Sequence, residues 1–136
     1  MYLLIGDSMV NGFQELLGNK WHVECLPHMT ATEMASSAFG LSFYAGEEDY
    51  EYCLIWLGKN DIGHNIHTSV ILDSFCEMNR QTDTANVFIV TDKKHVVSDL
   101  TTLVLLLMDD DISDDKIHLS SDGKRRVADI ILGNFN

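Results

Sequence analysis

From Tyr52 to Leu57 the chain reads Tyr-Cys-Leu-Ile-Trp-Leu, with a hydrophobic side chain at every position. A strand with one wet face alternates apolar and polar residues, whereas a run apolar on both faces belongs in the middle of a sheet covered on both sides. That cover comes from helices, and a parallel sheet supplies them as crossovers between its strands. The run therefore points to an α/β domain with a parallel sheet.

The rest of the chain fits that frame. Tyr2 to Ile5 and Asn86 to Val90 read as further buried strands, and Trp21 to Leu26 as a strand in which Trp21, Val23 and Cys25 alternate with His22 and Glu24. Between them lie helical signals. Asn11 to Leu17 is stopped by Gly18-Asn19. A helix capped by Thr30 or Thr32 runs through Phe43, with Glu33 in capping-box position after Thr30. His67 to Met78 places Val70, Leu72, Phe75 and Met78 with partial helical period, and Asp122 to Leu132 turns Val127, Ile130 and Ile131 inward. Gly46 to Asp49 reads as an acidic turn. The stretch from Asp99 to Met108 fits a helix or, from Thr101, a strand; the helix is the expectation. No linker or repeat divides the 136 residues, so one domain over residues 1–136 is expected.

Composition narrows the partners. The net charge of −12 repels phosphate, which disfavours nucleic acid and anionic membranes and leaves neutral or cationic substrates. Cys25, Cys53 and Cys76 are odd in number and lack Cys-x-x-Cys spacing; Cys25 and Cys53 lie in strand-like apolar runs and read as buried thiols, which points to a reducing, cytoplasmic setting. Gly6-Asp7 interrupts the N-terminal apolar run too early for a secretory signal. Leu103 to Met108 is too short to cross a bilayer.

Three short motifs carry chemistry. Ile5-Gly6-Asp7-Ser8 closes the first strand, Gly58-Lys59-Asn60-Asp61 follows the third, and Asp115-Lys116-Ile117-His118 precedes the last helix. A serine needs a base to become a nucleophile, and a histidine base needs a carboxylate to hold its tautomer. In a parallel sheet, ligands bind at the carboxyl ends of the strands. Ser8, Thr30 and Gly58 to Asn60 all follow strands, so they fall on one edge. Ser8 could otherwise simply cap a helix, and His118 could be a loop histidine beside an acidic run.

In this order the motifs resemble those of the SGNH (GDSL-type) hydrolase family. Gly6, Asp7 and Ser8 match its nucleophile block, Gly58, Asn60 and Asp61 its Gly-x-Asn-Asp block, and Asp115 and His118 its Asp-x-x-His block, continued by Leu119, Ser120 and Gly123. The resemblance implies a three-layer α/β/α, flavodoxin-like fold and a serine esterase or acyl hydrolase working through an acyl-enzyme. In that reading Ser8 is the nucleophile, His118 the base, and Asp115 the orienting acid. Ser8, Asn60 and Thr30 form the oxyanion hole, Gly58 shapes binding, and neither cofactor nor metal is needed. The substrate would be a small acyl ester. The second block departs from the family: Thr30 stands where a glycine is usual, and its backbone N–H would have to serve instead. That departure keeps open a fold-sharing binding or regulatory module with weakened catalysis. A flavodoxin-like nucleotide or flavin binder is a third reading, opposed by the absence of a Gly-rich phosphate loop.

Other clusters have plainer explanations. His64-x-x-His67 offers too few ligands for a metal site. Asp109 to Asp111 with Asp114 and Asp115 fails the calcium-loop template, since Asp114 replaces its glycine and Ser120 its closing glutamate. Lys124 to Arg126 reads as a helix surface facing nearby aspartates. Asp61 is expected to cap the segment that follows it or order its loop, and Asp7 to hold loop backbone.

Overall fold

In the computed structural model, residues 1–36, 40–45 and 50–135 are described. Five parallel strands form one sheet: β1 (Tyr2–Gly6), β2 (Trp21–Cys25), β3 (Tyr52–Trp56), β4 (Ala85–Val90) and β5 (Thr102–Val104), in the spatial order β2-β1-β3-β4-β5. The helices are α1 (Phe13–Leu17), α2 (Ala31–Ser36), α3 (Leu41–Ala45), α4 (Lys59–Gly63), α5 (Thr68–Arg80) and α6 (Ser121–Phe135), with 3-10 turns over Ser8–Val10, Lys93–His95 and Asp109–Asp111.

Each central strand divides its side chains between two cores, as period-2 geometry requires. Leu3, Ile5, Cys53, Ile55, Phe88 and Val90 pack with Met34 of α2, Leu41 of α3 and Ile71, Phe75 and Met78 of α5. Leu4, Leu54, Trp56, Val87 and Ile89 pack on the opposite face with Phe13 and Leu17 of α1 and Val127, Ala128 and Ile131 of α6. This is the three-layer α/β/α arrangement that the resemblance implies, with the apolar run of β3 central in the sheet. The strand order is flavodoxin-like, and it reverses direction between β1 and β3. Ligands bind at such a switch point, so the geometry itself selects the loops after β1 and β3.

Several expectations need correction. The helix expected over Asp99 to Met108 is instead the strand Thr102–Val104 with irregular chain on either side. It pairs with β4 in the register Phe88↔Thr102, Ile89↔Leu103 and Val90↔Val104. The Phe88 N–H donates to the Thr101 carbonyl at 2.9 Å and the Leu105 N–H to Val90 at 2.8 Å. The open edge of β4 would otherwise leave these groups unpaired, and β-branched Thr101, Thr102 and Val104 suit a strand. The helix after β1 begins at Phe13 rather than Asn11, because Asn11 is extended (ψ 130°) after the first 3-10 turn. The helix expected through Phe43 is seen as α2 and α3; residues 37–39 lie outside the described residues, as does the expected acidic turn over Gly46 to Asp49. The short helix α4 escaped sequence reading, and α6 is longer than expected.

Candidate active site

Ser8 opens the 3-10 turn that follows β1. Asp7 caps that turn, its Oδ1 accepting the Met9 N–H at 2.9 Å. The Ser8 Oγ lies 3.1 Å from Nε2 of His118, although 110 residues separate them. His118 Nδ1 lies 2.7 Å from Asp115 Oδ2. The fold thus brings Ser8, His118 and Asp115 into one continuous hydrogen-bonded chain. His118 and Asp115 remain 43% and 47% exposed, so the chain opens to solvent.

The other oxygen of Asp115 is fully engaged. Its Oδ1 accepts from the Ser113 hydroxyl at 2.6 Å, the Ile117 N–H at 2.8 Å and the His118 N–H at 2.9 Å. These donors, the Ser113 hydroxyl first and then the His118 N–H, hold the carboxyl well below the usual carboxylate range. Lys116 bends through the left-handed region (φ 62°) so that both ends of the turn face one carboxylate. Sequence reading missed Ser113, whose Ser-x-Asp spacing was the available signal.

The turn is anchored to α6. The Ser113 N–H donates to the His118 carbonyl at 2.8 Å, and Ile112 bridges Leu119. The Ser120 N–H donates to the Asp111 carbonyl at 2.8 Å, and the Ser120 hydroxyl accepts from the Gly123 N–H at 3.0 Å, capping the helix. The Arg126 guanidinium donates to both Asp111 oxygens and to the Leu106 carbonyl. It holds the Asp111 carboxyl below its ordinary value. Gly123 lies so close to Asp111 that a Cβ there would overlap the Asp111 carbonyl. Of the acidic run, Asp111 thus serves as an arginine partner that braces the turn. The basic spot does face aspartates, through Arg126 and through Arg125, which lies 3.7 Å from Asp122.

Gly58, two residues beyond β3, takes φ 123°, a backbone conformation open to glycine, and occupies the N-cap position of α4. Asn60 sits on the first turn of that helix. Its Nδ2 donates to the Met29 carbonyl at 3.0 Å and makes a longer contact, 3.4 Å, with Asp7 Oδ2. Asp7 is buried, and burial pushes its carboxyl upward against the opposing pull of the Met9 N–H. Thr30 is buried as well. Its hydroxyl accepts the Glu33 N–H at 3.0 Å and donates to the Glu33 carboxylate at 3.2 Å. The Met29–Thr30 peptide is trans, so its N–H points away from the carbonyl that faces Asn60. In this loop the left-handed residue is His28 (φ 67°), two positions before Thr30.

Asp61 does not cap the segment that follows it. Fully buried, it accepts the Ala31 N–H at 2.7 Å, the Thr32 N–H at 3.1 Å and the Thr32 hydroxyl at 2.8 Å. It caps α2 across the switch point and ties the loop after β2 to the loop after β3. His67 caps α5, its Nδ1 accepting the Ser69 N–H at 3.1 Å. Among the described residues no group of three or more His, Cys, Asp or Glu could hold a metal ion. No helix among them is long and apolar enough to cross a membrane.

A cavity of about 130 Å³ opens at the carboxyl ends of β3 and β4, walled by Trp56, Gly58, Lys59, Ile62, Ile89 and His95 among others. Lys59 links it to the serine loop, its Nζ lying 3.6 Å from Met9 Sδ. His95 was not singled out from the sequence. It is 5% exposed, and its Nε2 has no hydrogen-bond partner among the described residues.

No family model and no curated protein sequence matches the chain. Solved structures do. A member of the lipolytic protein G-D-S-L family from Veillonella parvula DSM 2008 superposes with a TM-score of 0.73 at 10% identity, over 98% of this chain and 97% of that one. A putative lipolytic protein of the G-D-S-L family from Desulfitobacterium hafniense DCB-2 gives 0.71 at 13% identity, over 96% of each. The chain therefore has the fold of G-D-S-L family proteins.

Proposed function

We propose that this protein is a serine ester hydrolase of the SGNH type, acting on a carboxylic ester or O-acetyl group. The observation that carries the proposal is the unbroken chain Ser8–His118–Asp115 at the switch point of the sheet. His118 Nε2 takes the Ser8 proton as Oγ bonds to the acyl carbon, giving a tetrahedral oxyanion. Collapse of that intermediate breaks the ester C–O bond, and His118 returns the proton to the leaving alcohol. Water, deprotonated by the same nitrogen, then attacks the acyl carbon; the bond from that carbon to Ser8 Oγ breaks, the acid leaves, and His118 returns the proton to Oγ. Asp115 keeps Nδ1 protonated throughout, leaving the Nε2 lone pair for Ser8.

Asn60 and the Ser8 backbone stabilise the oxyanion in this reading. The Met29 carbonyl fixes the plane of the Asn60 amide, and the N–H with only a long contact to Asp7 is the one free to turn to the oxyanion. The Ser8 N–H belongs to the open first turn of its 3-10 helix, where backbone donors lack intrahelical partners. The Thr30 N–H is the third donor in this reading. Gly58 sets the approach of α4 and forms one wall of the cavity, which accepts the acyl chain of a small ester. No cofactor takes part in these steps.

Thr30, standing where the family block usually has glycine, also supports a second reading, a module that keeps the fold and binds ligand with feeble turnover. Hydrolysis of p-nitrophenyl acetate and butyrate by wild type, Ser8→Ala and His118→Ala separates the two. The hydrolase reading expects activity in wild type alone. Equal, feeble rates in all three overturn it.

A further inference from the structure

Every polar group of Ser113 is engaged inside the turn that carries the acid and the base. Its N–H donates to the His118 carbonyl at 2.8 Å, and its carbonyl accepts the Lys116 N–H at 3.0 Å. Its hydroxyl lies 2.6 Å from Asp115 Oδ1. An ionised carboxylate only accepts, so the hydroxyl donates in this pair. The other two donors to that oxygen, the Ile117 and His118 N–H groups, come from residues after Asp115. Among the described residues, Ser113 alone reaches it from before Asp115 in the chain. An aspartate carboxylate turns about its last side-chain bond over a broad, two-fold profile, so the side chain itself does not choose which oxygen faces His118. Burial does not choose either, because the Asp115 side chain is 47% exposed. The orientation therefore depends on hydrogen bonds. Of these, the Ser113 hydroxyl does most to hold the carboxyl below its ordinary range.

We infer that Ser113 is a positioning residue of this site, its hydroxyl locking the Asp115 carboxylate so that Oδ2 stays on His118 Nδ1 and Nε2 stays ready for Ser8. The inference rests on the ester-hydrolase reading for its effect on turnover, and on the hydrogen bonds alone for its effect on the imidazole. Ser113 acts through two intermediates: it meets Asp115 at 2.6 Å, Asp115 meets His118 at 2.7 Å, and His118 meets Ser8 at 3.1 Å. Removing the hydroxyl leaves both backbone bonds of residue 113 in place, so the turn keeps its path. The carboxylate, released on one side and open to water, then turns away from Nδ1 for part of the time. In that fraction no carboxylate holds the proton on Nδ1. A ring that carries it on Nε2 instead has no lone pair there to take the Ser8 proton.

The test compares wild type with Ser113→Ala, Ser113→Thr and Ser113→Val. Threonine keeps the hydroxyl and valine matches its bulk without it, so that pair separates the hydrogen bond from packing. On p-nitrophenyl acetate, Ser113→Ala and Ser113→Val should lose about tenfold in kcat with KM little changed, while Ser113→Thr keeps most of the wild-type rate. With an active wild type, an undiminished kcat in Ser113→Ala, or equal rates in Ser113→Thr and Ser113→Val, overturns the inference. The second readout needs no turnover. NMR of the His118 ring nitrogens, in the alkaline range where an imidazole is neutral, reports which of them carries the proton. Ser113→Ala and Ser113→Val should show a larger share of the Nε2–H tautomer than wild type and Ser113→Thr. That change supports the positioning role even if wild type proves inert toward esters and the hydrolase reading fails. An unchanged tautomer in Ser113→Ala overturns the inference whatever the rates.

Discussion

The two oxygens of Asp115 perform separable tasks, and Asp115→Asn should separate them. Oδ1 accepts three donors, the Ser113 hydroxyl and the Ile117 and His118 N–H groups. Among the described residues Oδ2 meets only His118 Nδ1, at 2.7 Å. An asparagine keeps its carbonyl at the first position, because the opposite rotamer would set an NH₂ group against three donors. Its NH₂ then replaces Oδ2 and meets Nδ1. To accept that hydrogen, His118 must move its own proton from Nδ1 to Nε2, where it points at Ser8 and can no longer take the serine proton. The turn keeps its shape while the base is in the wrong tautomer. Loss of the orienting carboxylate in a buried triad costs about 10⁴ in kcat. Here both side chains are nearly half exposed and water can compete, so a loss between about 10² and 10⁴ is expected. The assay is kcat/KM on p-nitrophenyl acetate, alongside thermal melting of wild type and variant. A variant that melts like wild type and retains more than about a tenth of its kcat/KM would refute the tautomer argument.

Three further outcomes follow from the same geometry. Asn60→Ala should lower kcat by about 10²–10³ with little change in KM, because it removes a donor that acts on the developing oxyanion; steady-state kinetics decide it. Gly123→Ala should destabilise the fold by about 1–3 kcal/mol in urea titration, since the new methyl forces the Asp111 backbone away from α6. Arg126 holds the Asp111 carboxyl below its unfolded value, so this pair contributes stability above about pH 4 that is lost as pH falls through the lower folded value. Melting temperature should therefore drop less steeply on acidification in Asp111→Asn than in wild type.

How much was legible in the sequence depended on how local the signal was. Strands β3 and β4 are buried on both faces, so their unbroken apolar runs reported their place directly. Leu103 to Leu107 is also apolar, but a short run has no readable period, and only the vacant edge of β4 makes it a strand. The motifs around Ser8, Asn60 and Asp115 stood out because each is a few residues long and follows or precedes a clear element. Their supports were hidden because contact, not spacing, defines them. Asp111 meets Arg126 across the approach of α6 to the turn, and Asp61 caps α2 from α4, a helix that follows a different strand. His95 looked like an ordinary loop histidine. Its Nε2 has no partner among the described residues, a feature that appears only once the ring is buried.

The central claim is that Ser8 is a nucleophile activated by His118. The most direct measurement is labelling with a fluorophosphonate probe, read by peptide mass spectrometry on wild type, Ser8→Ala and His118→Ala. The account predicts one adduct in wild type, on the peptide carrying Ser8, with none in Ser8→Ala and a strongly slowed reaction in His118→Ala. Equal labelling of wild type and Ser8→Ala, or an adduct at another residue, would contradict it.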